Sequence, residues 1–235
     1  MKNVKFTLLS VGLVLAMAFT FSCSSPDDDG GGDGKGGSSS SLGGGDLPSS
    51  SSVGYTGSYG SVTYEGQTYK TVIIGEQTWM AENLNYEAEG SKCYDNDPTN
   101  CAKYGRLYDW ETAMMVCPSG WHLPSNAEWT ILTVYVDGAS GISAATKLKS
   151  TSGWRYNGTD QYGFSALPGG ASSLYGSSFR QVGGTGYWWT ASEYGSSSDS
   201  DGMAYFQSMQ PSSGLVHGGY LHKSSEWFSV RCLQD

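Results

Sequence analysis

Four cysteines in the folded part of this 235-residue chain, Cys93, Cys101, Cys117 and Cys232, constrain it more than any other feature. The fifth, Cys23, closes an N-terminal apolar run. Lys2 and Lys5 give that run a positive start, and Leu8 to Phe21 is apolar apart from Ser10, Gly12 and Thr20. The stretch is too short for a permanent membrane span, so residues 1–22 read as a cleaved export signal. An even set of cysteines behind such a signal points to disulfides rather than to metal or redox chemistry.

The segment Thr20-Phe21-Ser22-Cys23 is similar to a bacterial lipobox, without the Leu that usually opens it. Cys23 is therefore the expected acylation site, with the lipid anchor as the contact to the membrane. A plain secretory cut near Ser22 is the alternative. The run Asp27-Asp28-Asp29 resembles the surface-export signal of lipoproteins in the Bacteroidetes, and a solvated charge run is the plainer reading. Together these place the protein at the bacterial outer membrane, lipid-anchored and facing outward from the cell surface.

Residues 23–60 are Gly, Ser and Asp with few apolar side chains. Such a segment cannot bury enough surface to offset its chain entropy, which predicts a disordered tether. Residues 61–235 are the size of one domain. The formal net charge is −9, and loss of Lys2 and Lys5 with the signal makes the mature chain more acidic still. No basic cluster appears, so nucleic acid is excluded as a partner. The domain is rich in Gly, Ser, Tyr and Trp, a mixture that also serves binding loops.

Val62 to Met80 reads as a β-hairpin region with turns at Glu65-Gly66 and Gly75-Glu76. Tyr104 to Val116 predicts one helix. A second is better marked, because Ser125-Asn126-Ala127-Glu128 fits a capping box and Trp129, Leu132 and Val136 share a face. Ile142 to Lys149 gives a further helical piece. Strand candidates follow at Phe164–Leu167, Tyr187–Ser192, Met203–Ser208 and Trp227–Cys232. The order implies an α+β domain with two main helices and loop-rich short antiparallel strands. Trp121, Trp129 and Trp189 are expected in its core.

Several blocks together carry a resemblance. They are Gly66 to Val72, Gln77 to Tyr86, Tyr104-Gly105-Arg106-Leu107-Tyr108, Cys117 to Pro124, Trp189-Thr190-Ala191-Ser192 and Val230-Arg231-Cys232. In that order they closely resemble the Fibrobacter succinogenes major paralogous domain over residues 61–235. The resemblance implies an exported protein with a surface or binding role. His122 to Trp129 is also similar to a signature of formylglycine-generating enzymes, which implies a C-type-lectin-like fold with its first and last strands side by side.

Catalysis finds little support. The oxidase chemistry of that second family needs a reactive cysteine pair in the C-terminal half, where only Cys232 stands. No G-x-S-x-G element occurs. His122, His217 and His222 lack metal-ligand spacing, and Glu193 with Asp201 is the best carboxylate pair, most simply read as loop charge. No cofactor is expected. Calcium remains open at Asp95 and Asp97, beside Asn96 and Asn100, although such clusters more often form turns. The bridges are expected as Cys93–Cys101, near neighbours around turn residues, and Cys117–Cys232.

The reading is a non-enzymatic binding or adhesion domain whose ligand is carbohydrate or protein. A structural envelope lipoprotein is the alternative, and an exported enzyme a distant one. Contact residues are expected on loops of the second half: Tyr175 and Arg180 before the Trp188-Trp189 strand, Tyr194 and Tyr220 beside later strands.

Overall fold

The computed structural model describes residues 57–173, 177–195 and 202–235. Cys23, the expected tether up to residue 56, Tyr175 and Asp201 lie outside these described residues. In chain order the strands are β1 (Tyr59–Tyr64), β2 (Gln67–Ile74), β3 (Gln77–Met80), β4 (Leu107–Tyr108), β5 (Trp121–His122) and β6 (Ala171–Ser173). Then come β7 (Ser178–Arg180), β8 (Gly186–Glu193), β9 (Met203–Met209), β10 (Val216–His222), β11 (Glu226–Ser229) and β12 (Leu233–Gln234). The helices are α1 (Pro98–Tyr104), α2 (Trp110–Ala113), α3 (Asn126–Asp137) and α4 (Ala144–Leu148).

The strands form two sheets, one of five in the order β1-β2-β3-β12-β5 and one in the order β10-β9-β8-β11-β6-β7 with β4 added on β11. The domain is thus mostly β with a few short helices. Both expected turns, at Glu65-Gly66 and Gly75-Glu76, join antiparallel neighbours. The last strand returns to the first sheet, where Leu233 pairs with Trp79 of β3 and with His122 of β5.

The expectation of two main helices is corrected to one. Only α3 reaches three turns, fixed at its start by the capping box: Glu128 N donates to Ser125 Oγ, and Ser125 N donates to Glu128 Oε2. The stretch Tyr104 to Val116 instead divides. Tyr104 ends α1, and Gly105 at φ +78° turns the chain into β4. A Cβ at Gly105 would lie 2.8 Å from Leu84 O, so glycine alone fits this crossing. Asp109 then caps the single turn of α2. Phe164–Leu167 is no strand; only Ala166 bridges, to Lys149.

Two large apolar clusters fill the domain, with a third, smaller one at Tyr94, Leu107 and Trp227. The first gathers Val72, Ile74, Trp79, Trp129, Leu132, Phe164 and Trp188; the second gathers Tyr69, Tyr108, Trp189, Phe228 and Val230. Strand alternation sends Trp188 to one and its neighbour Trp189 to the other. Trp129 packs 5.2 Å from Trp79 and 6.0 Å from Trp188 between ring centroids. Trp129 and Trp189 are core residues as expected, whereas Trp121 is only half-buried at the rim.

Both bridges form, Cys93–Cys101 and Cys117–Cys232. The second closes a loop of 115 residues and ties the end of the helical half to the last strands. On the loop-entropy scale such a closure contributes about 4–5 kcal/mol.

A polar centre lies between the sheets. Asn83 Oδ1 accepts from Trp188 Nε1 at 2.9 Å and from Arg231 Nη2 at 3.0 Å. Asn83 Nδ2 donates to Tyr104 O at 2.9 Å. Arg231 also donates to the carbonyls of Phe164 and Ser165, and its guanidinium sits 4.2 Å over the Phe164 ring. Burial lowers the Arg231 pKa to about 9, against the opposing charges of Asp160 and Glu82, so it stays cationic at neutral pH. Asn83→Ala would leave the Trp188 indole N–H without its acceptor and take one of its acceptors from a buried cation. A loss of about 3 kcal/mol or more is expected in chemical denaturation. An unchanged midpoint would contradict this role.

Candidate functional site

The second half of the domain presents an aromatic surface where β8, β9 and β10 end. Tyr194, just beyond β8, donates its N–H to Met203 O at 3.0 Å. Tyr205 and Tyr220 sit directly opposite each other on β9 and β10. The Tyr194 and Tyr220 rings stack at 3.6 Å between centroids and 7° between planes, and Tyr205 meets Tyr194 edge-on at 5.4 Å. The Tyr194–Tyr220 hydrogen bond raises the Tyr194 phenol pKa, with the Tyr220 charge adding to it. Tyr220 remains 46% exposed, so an outer ring face is open to solvent.

Rigid structure holds this surface. Asn126, the first residue of α3, takes Gln207 Nε2 on its Oδ1 at 2.6 Å and donates its N–H to Ser192 Oγ at 2.9 Å. Gly219 is required beneath it, because a Cβ there would meet the Phe206 ring at 2.6 Å. These contacts fix β8, β9 and β10 against the helix start, and the tyrosines continue past that anchor.

Next to the tyrosines, Glu193 pairs with Lys223 at 3.0 Å, and the Lys223 ammonium lies 4.1 Å from the Trp110 ring centroid. Lys223 lines a cleft of about 420 Å³ with Asp109, Glu111, Met115, Ser224 and Trp227. Met115 is 77% exposed and gives the cleft an apolar lip. Carboxylates, an ammonium and a hydroxyl around an indole can hold a hydroxylated ligand with an apolar face.

Of the four expected contact residues, the structure brings Tyr194 and Tyr220 together. Arg180 stands apart: its Nη1 pairs with Glu226 at 2.6 Å, and its guanidinium lies 5.7 Å from the Tyr187 ring. Tyr175 is outside the described residues. Sequence reasoning missed Tyr205, Lys223 and Trp227. The alternation of Tyr205 with buried Ala204 in β9 was the available signal for the first. Gly218 and Gly219 hid β10, since glycine lowers strand propensity.

Asp97 caps α1 by accepting from Thr99 N at 2.9 Å, and this bond lowers its pKa. Asp95 and Asn96 both adopt left-handed backbone at φ 55°, as turn residues. Among the described residues no group of three His, Cys, Asp or Glu side chains is placed to hold a metal ion. Asp95 and Asp97 therefore read as turn and cap formers.

His122 is held by two carboxylates. Its Nδ1 lies 2.6 Å from Asp235 Oδ1 and its Nε2 lies 3.0 Å from Glu128 Oε1, joining β5, α3 and the C-terminus. Burial pulls the imidazole pKa down, but the bonds to Asp235 and Glu128 outweigh it and the net shift is upward. Burial likewise opposes the shift at Glu128, whose bonds to Ser125 and His122 lower its pKa.

A family model described as the Fibrobacter succinogenes major domain matches residues 72–234. No curated protein and no solved structure matches the chain.

The His122 contribution to stability is full below its ordinary pKa of 6.5 and is lost as pH rises through the raised folded value. That of Glu128 is full above its ordinary 4.5 and is lost as pH falls through the lowered one. The staple is therefore complete between these values. His122→Gln should remove part of the stability difference between about pH 6 and about pH 8. Thermal melts of both proteins check this, and an identical pH dependence would contradict it.

Proposed function

The chain belongs to the Fibrobacter succinogenes major domain family, and from that premise we propose that it is an outer-membrane surface lipoprotein whose domain binds saccharide chains. The observation that carries this reading is the Tyr194–Tyr220 stack with Tyr205 beside it, on a surface fixed by α3. Tyrosine rings offer broad, stiff faces for the C–H faces of sugar rings, while their hydroxyls stay wet. The adjoining cleft adds carboxylate, ammonium and hydroxyl groups suited to sugar hydroxyls. The acidity of the chain and its lack of a basic cluster disfavour the phosphate backbone of nucleic acid. Binding without catalysis is the reading; both nitrogens of His122 are committed to carboxylates, which leaves that imidazole no free base position.

A C-type-lectin-like arrangement belongs to the same proposal. It is supported by the pairing of β12 with β3, which sets the last strand beside the first strands, and by the parallel contact of β11 with β8. Anchoring through an acylated Cys23 completes the proposal, with the residues between Cys23 and β1, which starts at Tyr59, as the spacer between membrane and domain.

Two experiments test these parts separately. Tyr194→Ala/Tyr220→Ala should lose capture on a glycan array by about tenfold or more, on the scale of aromatic contacts in a binding surface, with the melting temperature nearly unchanged. Full capture by the folded variant would place the site elsewhere. Absence of glycan capture by the wild-type chain, with or without a protein hit, would replace the saccharide reading. For the anchor, Cys23→Ser should release the protein from membranes and abolish palmitate incorporation; retention would contradict acylation.

A further inference from the structure

A second cleft, of about 640 Å³, has Arg106 in its wall. Lys92 connects the two clefts: it lines this one, and its ammonium lies 5.7 Å from the Trp227 ring centroid. Arg106 belongs to the Tyr104-Gly105-Arg106-Leu107-Tyr108 block, yet the core uses only its backbone, through Arg106 N to Leu84 O at 2.9 Å. Its side chain is 14% exposed and has one carboxylate partner, Glu87 at 2.8 Å, which is itself 80% exposed. A long 3.4 Å bond to Ser91 Oγ is its other side-chain contact. A guanidinium carries five N–H donors in a planar fork, so this one faces the cleft with donors to spare.

The rest of the lining narrows the ligand. Lys92 and Arg106 face one carboxylate, Glu87, in a chain whose net charge is −9. Pro98, Ala102 and the Cys93–Cys101 bridge make an apolar wall. Asn96 and Ser91 supply neutral polar groups. Asn85 also lines the cleft, and its buried Oδ1 has no hydrogen-bond partner. The amide is held by a 3.3 Å bond from Nδ2 to Gln67 Oε1, which leaves the oxygen as the unmet acceptor of this wall. The set asks for one carboxylate, several hydroxyls and a modest apolar face.

We infer that this cleft binds a uronic acid unit of an acidic saccharide, its carboxylate on Arg106 in place of Glu87 and its hydroxyls on Lys92, Asn85 and Asn96. The inference rests on the saccharide reading for the class of ligand, but on different residues. Arg106 gives the site a preference for the free acid, because a fork-to-fork pair with carboxylate is lost on esterification.

Titration calorimetry of the full chain with a trigalacturonate and with its methyl ester tests this. The acid form should bind about tenfold tighter than the ester, as a charge-assisted bidentate pair requires. Arg106→Lys should erase most of that preference while leaving ester binding as it was. Glu87→Gln, at an exposed position, should tighten acid binding roughly two- to fivefold by removing the competing partner. That gain is not expected of a residue with a merely structural role, and it decides the matter should the Arg106 variant not fold. Equal binding of acid and ester, no binding of either, or no response to the Glu87 variant would overturn the inference. If both forms bind equally and Tyr194→Ala/Tyr220→Ala abolishes them, the tyrosine surface stands as a saccharide site and the Arg106 cleft falls alone.

Discussion

One side-chain amide holds this domain together. Asn83, in the loop after β3, receives an indole N–H from β8 and a guanidinium N–H from the segment between β11 and β12. It returns a bond to Tyr104 at the end of α1. Three regions far apart in sequence thus meet on one residue, and the two sheets are set relative to each other there. A buried arginine with carbonyl and amide acceptors is an expensive choice for stability alone, but a demanding one in geometry, since each misplacement leaves a charge unpaired. Gly105 and Gly169 serve the same centre by letting backbone pass close: a Cβ on Gly169 would lie 2.9 Å from Ser229 Oγ.

This centre accounts for several of the blocks by which the family is recognised. Asn83 lies in Gln77 to Tyr86, Gly105 in the Tyr104 to Tyr108 block, Trp189 next to Trp188, and Arg231 between Val230 and Cys232. Those residues fix a scaffold, and they identify a fold without identifying a ligand. The proposed contacts lie instead in side chains outside that centre: Tyr194 and Tyr220, Lys223, and the guanidinium of Arg106.

The parts legible in sequence were those governed by local rules. Ser125 and Glu128 announced α3, Glu65-Gly66 and Gly75-Glu76 announced the first turns, and cysteine spacing gave both bridges. Elements governed by tertiary contact were not legible. Leu107 has helical spacing with Trp110 and Met114, yet pairing of Leu107 with Ser229 and of Tyr108 with Phe228 draws both into β4. Two adjacent glycines disguised β10, which forms because β9 supplies a full ladder of partners. At the surface, nothing local distinguished Tyr194 and Tyr220, which stack on each other, from Arg180, which pairs with Glu226 forty-six residues away. His122 found both its partners across strand and helix ends, which no local pattern encodes.

In the proposed function, a rigid polar and aromatic core presents a saccharide surface at the ends of β8, β9 and β10. Backbone amide exchange of the full chain, with and without a bound oligosaccharide, tests it most directly. The account predicts added protection at residues 192–195, 203–206 and 218–223, with amides around Asn83, Trp188 and Arg231 already slow and unchanged. Protection centred on the outer face of α3, at Ile131 and Tyr135, or a loosening of the core on binding, would contradict it.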